Sequence, residues 1–174
     1  MNKALTFALL VPVAVVARAE VFLSPEQATF QIFPGQKFAA RTFALSDEQK
    51  RRIEELSGQT VRSTQLQTLA APSGDLVFLD EVLGKHEQIR LAVGIGRDGK
   101  VHGIEILEYR ETYGYQVRNA DWRKQFVGKN SSDELKLGAD IQNISGATLS
   151  SAHVTGGIKR LLVTHDVLFT HSAR

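Results

Sequence analysis

A run of small and hydroxyl-bearing residues near the C-terminus is the strongest candidate for chemistry in this sequence. The run is Ser145-Gly146-Ala147-Thr148-Leu149-Ser150-Ser151, and it introduces the longest helical pattern of the chain. Gly146 permits a tight turn, and Thr148 falls in the first turn of the predicted helix. Unpaired backbone N–H groups and the positive end of the helix dipole favour an anion there. On the residues alone, the run is either a phosphate cradle with added serine hydroxyls or a well-capped helix start.

The sequence offers few other reactive groups. It has no cysteine, which excludes disulfides, thiolate-bound iron–sulfur clusters, thioether-attached haem and a catalytic thiol. Its five histidines include no pair four apart on one helix beside a carboxylate, so we predict no metal site. Residues 94–99 match the G-x-G-x-x-G dinucleotide fingerprint, but that fingerprint must open a helix, and a strand-like run follows here. No catalytic residue is predicted, because no G-x-S-x-G or S-x-x-K motif accompanies Thr148.

A second segment, which precedes the serine-rich run, favours the phosphate cradle. Glu111-Thr112-Tyr113-Gly114 is followed by Trp122, by Phe126-Val127-Gly128-Lys129 and then by the run itself. This order and spacing resemble the FMN-binding domain of two sets of proteins. One set is the flavin-carrying subunits of the sodium-pumping NADH:quinone oxidoreductase and the Rnf electron-transport complex. The other is the free-standing periplasmic proteins built from that domain. The resemblance is strongest over residues 88–163.

The resemblance implies FMN as the cofactor and gives roles to particular residues. In that family a flavin transferase uses FAD to attach FMN to the motif threonine through a phosphoester, and the matching position here is Thr148. The neighbouring motif residues would line the ribityl phosphate and the flavin, namely Ser145, Gly146, Ala147, Leu149 and Ser150. A loop made by Glu111, Thr112 and Gly114 would approach the flavin from the other side.

Two positions depart from the family pattern. The attachment motif usually has Asp three residues before its Ser, where this chain has Gln142, and the nearest acid is Asp140. Non-covalent FMN is therefore an alternative to the phosphoester. The family loop usually has Pro where this chain has Tyr113. Tyr113 and Tyr115 either stack on the flavin or are partly buried aromatics of the scaffold.

The N-terminal residues predict export. Lys3 supplies a positive charge, Ala4–Ala17 is an uncharged apolar run, and Ala17-Arg18-Ala19 fits the cleavage pattern of a signal peptide. The apolar run is shorter than the roughly 20 residues that span a bilayer. We therefore expect a signal peptide over residues 1–19, cleaved after Ala19, and a single periplasmic domain over residues 20–174. Cleavage leaves 19 basic and 19 acidic residues, a balance that does not support nucleic-acid binding.

Helical signals occur at both ends of the predicted domain. Ser24 and Ser46 each begin a capping-box signature, and the two helices should stop near Pro34-Gly35 and Gly58. A short helix is predicted over Asn119–Phe126. A long one should run from Thr148 to about Phe169, with apolar residues at steps of three and four. Gly156-Gly157 within it would let another element approach closely.

Strand patterns fill the middle of the chain. They cover Thr60–Ala71, Leu76–Val82, Gln88–Ile95 and Val101–Tyr109, and Asp98-Gly99 predicts a hairpin between the last two. Together these elements predict an α+β fold. We expect an antiparallel, half-barrel-like sheet with peripheral helices and a long C-terminal helix packed on it.

The combined features predict an exported flavoprotein that carries FMN and passes electrons at the outer face of the cytoplasmic membrane. Its donor and acceptor would be other proteins, some of them in that membrane, because no nicotinamide site is visible. A flavin transferase would be the maturation partner. We expect an electron carrier rather than a stand-alone enzyme. Two alternatives are a periplasmic flavin reductase that acts on a quinone or ferric complex, and a flavin-free binding module.

Overall fold

A six-stranded antiparallel sheet forms the centre of the fold. The computed structural model describes residues 20–110 and 114–170 of the chain. Neighbouring strands follow the order β1-β6-β5-β4-β3-β2, and every pair is antiparallel. The strands are β1 (Glu20–Val21), β2 (Ala39–Ala44), β3 (Gln65–Ala70), β4 (Leu76–Leu83), β5 (Gln88–Ile95) and β6 (Val101–Tyr109).

Two helices begin at the predicted serines. α1 (Pro25–Ile32) and α2 (Asp47–Ser57) each follow a serine whose hydroxyl accepts the backbone N–H of a glutamine three residues later. The glutamine side chain in turn accepts the backbone N–H of the serine, which satisfies a second free donor. α2 ends at Gly58, which has a left-handed φ of 67°. Both helix predictions are confirmed.

The strand predictions are confirmed for β4 and for the central hairpin, and they are incomplete elsewhere. β5 and β6 have the predicted bounds, and the N–H of Gly99 donates to the carbonyl of Gly96 in the turn between them. The G-x-G-x-x-G match therefore lies in a hairpin and opens no helix. The strand predicted over Thr60–Ala71 was too long, since only β3 pairs within it. β1 and β2 were missed; β2 is an edge strand with mostly exposed side chains, so its sequence lacks apolar alternation.

The α+β fold with a long C-terminal helix packed on the sheet is confirmed, and helices cover both faces of the sheet. On one face, Phe78 and Leu91 share the main core with Val154 and Ile158 of the C-terminal helix, α4 (Thr148–His165). These side chains are almost fully buried, and each contributes about 1.5–3 kcal/mol through its burial. The packing of Val154 and Ile158 against the sheet therefore holds α4, including its first turn, in place.

Two glycines let α1 approach the other face. Gly94 on β5 is paired directly with Gly103 on β6. A Cβ at Gly94 would overlap Ile32 and lie 2.7 Å from the ring of Phe33, and a Cβ at Gly103 would lie 3.1 Å from Ile32. Because both positions lack a side chain, α1 packs directly on the sheet and buries Phe33 against Val77 in a second core.

Short helical turns connect β6 to α4. A 3-10 turn over Tyr115–Arg118 is followed by α3 (Ala120–Arg123) and a second 3-10 turn over Lys124–Phe126. The last two elements occupy the position of the predicted short helix. α4 covers most of the predicted long helix and continues as a π-helical turn to Thr170. Among the described residues, no helix has the length and apolar character needed to cross a bilayer.

Candidate functional site

The loop after β6 meets the first turn of α4 at Gly114. Gly114 has a φ of 85°, which favours glycine. A Cβ at this position would lie 2.9 Å from the hydroxyl oxygens of both Ser150 and Tyr109, and 3.4 Å from the Cβ of Ala147. The two segments that the sequence singled out are therefore in direct contact. We call this contact between Gly114 and residues Ala147 and Ser150 the junction.

No side chain among the described residues caps the N-terminus of α4. Its N-cap residue is Ala147, which has no side chain able to accept a hydrogen bond, whereas α1 and α2 both begin with complete capping boxes. The N–H groups of Thr148, Leu149 and Ser150 lie in the first turn, where no intrahelical acceptor exists. Within the described part of the chain this helix start is therefore not the well-capped one considered from the sequence, and its uncapped N–H groups suit a phosphate.

Thr148 presents an exposed hydroxyl at this helix end. The side-chain amide of Asn143 donates to Thr148 Oγ1 at 3.3 Å. Ser151, which is fully buried, donates its hydroxyl to the carbonyl of Ala147 at 2.9 Å and lies 3.2 Å from Asn143 Oδ1. Ser151 and Asn143 together fix the orientation of the Thr148 hydroxyl. The sequence analysis missed Asn143, and no motif identifies it, because its role depends on the loop folding back on α4.

The other motif residues divide into exposed and buried groups. Ser145 and Gly146 are exposed, and Gly146 turns the chain with a φ of 80°. Ala147 and Ser150 are buried at the junction, so the Ser150 hydroxyl faces Gly114 rather than solvent. Leu149 is 51% exposed beside Thr148.

The loop over Glu111–Gly114, which we call the flavin loop after its predicted role, is described only at its end. Glu111, Thr112 and Tyr113 lie outside the described residues, and Gly114 is the residue of that loop seen at the junction. The next residue, Tyr115, has a side chain that is 62% exposed, so it is not a buried aromatic of the scaffold.

A hydrogen-bonded clamp holds the segment before the serine-rich run. The indole N–H of Trp122 donates to the carbonyl of Gln142 at 2.7 Å, and the N–H of Gln142 donates to the side-chain oxygen of Gln125 at 2.8 Å. Trp122 itself packs edge-on against Phe126, with ring centroids 5.1 Å apart. Trp122 and Phe126, two of the residues that resemble the family pattern, therefore hold the loop that leads to Thr148 in place.

Asp140 stabilises the same loop and is not free to act as the missing motif acid. Its carboxylate accepts from the Lys129 ammonium at 2.8 Å and from the backbone N–H groups of Lys136 and Leu135. Burial raises the pKa of Asp140, but these hydrogen bonds outweigh burial and lower the pKa to about 2. Asp140 is thus a carboxylate committed to holding residues 129–141 together.

His153, which lies about one turn beyond Thr148 on α4, contacts the sheet. Its ring nitrogen Nδ1 lies against the backbone carbonyl oxygens of Leu83 and Gly84, at the end of β4. The imidazole therefore ties α4 to the sheet one turn beyond Thr148.

The fold and the site together define a protein domain that presents an exposed threonine hydroxyl and uncapped backbone donors at one helix end. The comparisons with known proteins agree with this. Residues 84–163 match the model of the FMN-binding domain, and this part of the chain belongs to that family. The residues fit the cofactor: the free N–H groups of α4 suit its phosphate, and exposed Tyr115 and Leu149 suit its ring system. The chain is therefore a flavoprotein with FMN as its cofactor.

Two relatives are similar to this chain in sequence. The chain is 28% identical over 167 residues to a component of the Na(+)-translocating ferredoxin:NAD(+) oxidoreductase complex of Acetobacterium woodii, and the match covers 88% of this chain and 74% of that protein. It is 34% identical over 88 residues to a component of the ion-translocating oxidoreductase complex of Shewanella oneidensis, and that match covers 44% of this chain and 42% of that protein. The chain thus spans about three quarters of the first relative and less than half of the second.

A solved structure shares the fold. It is a component of the Na(+)-translocating NADH-quinone reductase from Parabacteroides distasonis. The match has a TM-score of 0.53 and covers 80% of each chain, with 15% sequence identity. The antiparallel sheet and the packed C-terminal helix therefore recur in a protein with little sequence in common.

Proposed function

We propose that this protein carries FMN as a phosphoester on Thr148 and relays electrons between partner proteins. The single observation that carries the linkage is the exposed Thr148 hydroxyl at an uncapped helix N-terminus, held by Asn143. The relay rests on the relatives, which are named as parts of ion-translocating oxidoreductase complexes.

The linkage step needs FAD and a flavin transferase. Thr148 Oγ1 would form a bond to the phosphorus that carries the ribityl group, and the bond between the two phosphates of FAD would break. AMP leaves, and the hydroxyl proton is lost to water. Asn143 Nδ2 donates to Oγ1, which leaves the second lone pair of this hydroxyl oxygen available for the attack. The resulting diester keeps one negative charge, which the N-terminus of α4 stabilises by roughly 0.3–1 kcal/mol.

Bound FMN supplies the capacity to accept and give electrons. The contribution of the chain is to leave the site open. Thr148, Ser145 and Gly146 are exposed, so a partner protein can come close to the attachment point. An electron carrier requires this access on both the donor and acceptor side. Turnover of a quinone or ferric complex by the loaded protein alone would contradict the carrier role and favour a reductase.

Intact mass tests the linkage. Protein produced together with a flavin transferase should be heavier by one FMN less one water. Thr148→Ala should lose this adduct, and Thr148→Ser should keep it because the hydroxyl remains. Thr42→Ala is the matched control, since Thr42 is an exposed threonine on the edge strand β2. An adduct that persists in Thr148→Ala would show that another residue carries the flavin.

The flavin loop is proposed to tune the reduction of FMN. Gly114, the last residue of the Glu111–Gly114 motif, lies at the junction beside the first turn of α4, which supports a role for this motif at the cofactor. A hydroxyl donor to the flavin stabilises its reduced, anionic form, and one such contact is worth about 1–3 kcal/mol. Thr112→Val keeps the shape and removes the donor. We expect loaded Thr112→Val to titrate at a lower midpoint potential; a titration that overlays the parent would leave Thr112 without this role.

Export to the periplasm is a separate proposal, supported by the signal-like residues 1–19. Cleavage after Ala19 would leave β1 at the new N-terminus, where Glu20 pairs with Tyr109 and Val21 with Glu108 on β6. N-terminal sequencing of protein from a periplasmic extract should begin at Glu20. Mature protein that begins at Met1 in the cytoplasm would overturn the proposal.

A further inference from the structure

Two large apolar side chains are exposed on either side of the junction. Tyr115 follows Gly114 and is 62% exposed, and Leu149 precedes Ser150 and is 51% exposed. Gly114 and Ser150 are themselves in contact. Tyr115 and Leu149 are therefore each one residue away from this contact, and Leu149 directly follows Thr148 in the chain.

The backbone beneath both side chains is held in place. In the 3-10 turn that begins with Tyr115, Val117 is fully buried in the main core, and the Arg118 guanidinium lies 3.5 Å from the ring centre of Phe22. In the first turn of α4, Ser151 is fully buried. Tyr115 and Leu149 are thus presented to solvent by ordered elements, and their exposure is a property of the fold.

The segment around Thr148 also lacks charge. Residues 141–158 contain no Asp, Glu, Lys or Arg. A planar, largely uncharged ring system could make apolar contacts with this segment. It would not have to displace a charged side chain of the segment to do so. Stacking on a phenol ring and covering an exposed leucine are both favourable for such a ring.

We propose that Tyr115 and Leu149 form a platform for the isoalloxazine ring of the FMN attached at Thr148, with Tyr115 as the residue that positions the ring. This inference rests on the proposed linkage at Thr148. It goes beyond the linkage because it names the surface on which the flavin lies and one aromatic side chain in contact with it.

Fluorescence reports such a contact directly. A phenol next to a photo-excited flavin passes one electron to it and takes the electron back, so no net redox change occurs, and the fluorescence lifetime shortens. Phenylalanine has the same shape but does not donate the electron. The chain has three tyrosines and one tryptophan, so each phenol can be removed in turn.

The experiment compares the flavin lifetime in loaded parent protein with that in Tyr115→Phe, Tyr109→Phe and Tyr113→Phe. Intact mass first shows one FMN on each protein. We expect a lifetime several-fold longer in Tyr115→Phe than in the parent and in the other two variants. Leu149→Ser should make the fluorescence more sensitive to iodide, because one side of the ring loses its cover.

The outcomes separate the two proposals. Lifetimes of loaded Tyr115→Phe that overlay the parent would overturn the platform and leave the linkage intact. A parent protein that takes up no FMN would overturn the linkage and the platform together.

Discussion

Gly114 lies so close to Ser150 that a single methyl group at position 114 would come within 2.9 Å of the serine hydroxyl oxygen. This contact joins the loop after β6 to the first turn of α4. It makes one site of two segments that are far apart in the sequence, and it does so through backbone approach rather than through a side-chain bond. The site therefore depends on glycine at this position.

Gly114→Ala should destabilise the protein and reduce its FMN content. The left-handed φ of 85° costs an alanine roughly 1–3 kcal/mol, and the overlap with Ser150 and Tyr109 adds a similar amount. Gly128→Ala is the matched control, because Gly128 has a φ of 84° and nothing within 4 Å of a Cβ. Urea unfolding measures both. Equal losses of unfolding free energy would show that the junction tolerates the extra carbon.

Gln142→Asp should accelerate FMN attachment. Both backbone groups of Gln142 are held by Trp122 and Gln125, while its side chain is exposed, so a substitution should leave the loop in place. The aspartate would supply the acid that the family motif has at this position. Gln142→Asn has the same size as the aspartate without the charge. We expect a several-fold higher initial rate of adduct formation in Gln142→Asp than in Gln142→Asn, measured as the change in intact mass with time. Equal rates in the two variants would contradict this prediction.

Gly157→Ala should destabilise α4 packing, and Gly156→Ala should not. A Cβ at Gly157 would lie 2.6 Å from a methyl group of Val82 on β4, whereas at Gly156 it would meet the flexible end of Gln59. Alanine gains about 1 kcal/mol of helix propensity at either position. Overpacking against the sheet costs about 1–3 kcal/mol and should exceed that gain only at Gly157. Denaturant unfolding should show Val82→Ala relieving part of the Gly157→Ala loss; additive effects would argue against the contact.

Asp140 should make stability depend on pH below about 4. Its pKa is about 2 in the folded protein against 3.8 for an ordinary aspartate, so the unfolded chain takes up the proton first as pH falls. The stabilisation is therefore present above pH 4 and is lost as pH falls towards 2. Its size is on the order of 2 kcal/mol.

Asp140→Asn tests this dependence. The variant should be less stable at neutral pH and show a flatter decline between pH 4 and pH 2, measured by urea unfolding at each pH. Asp121→Asn is the control, because the Asp121 side chain is 84% exposed and its ion pair with Lys124 contributes little. A parallel decline in Asp140→Asn and the parent would remove Asp140 as the cause.

Much of the fold was predictable because its signals are local. The capping boxes at Ser24 and Ser46 are completed by glutamines three residues away, so each helix start is written within four consecutive residues. The hairpin between β5 and β6 likewise depends on adjacent residues. β2 escaped prediction because an edge strand with few buried side chains needs no apolar alternation, and its pairing partner β3 lies beyond α2.

The sequence by itself indicated the kind of protein, since the order of its motifs resembles the FMN-binding family, and that resemblance predicts Thr148 as the attachment residue. Tertiary structure decided how those motifs work together. It brought Gly114 against Ser150, placed Asn143 on the Thr148 hydroxyl, and committed Asp140 to Lys129. The physical reason is that motif chemistry is encoded in neighbouring residues. Contacts between distant segments depend on how the sheet, α4 and their glycines pack, and no short stretch of sequence contains that information.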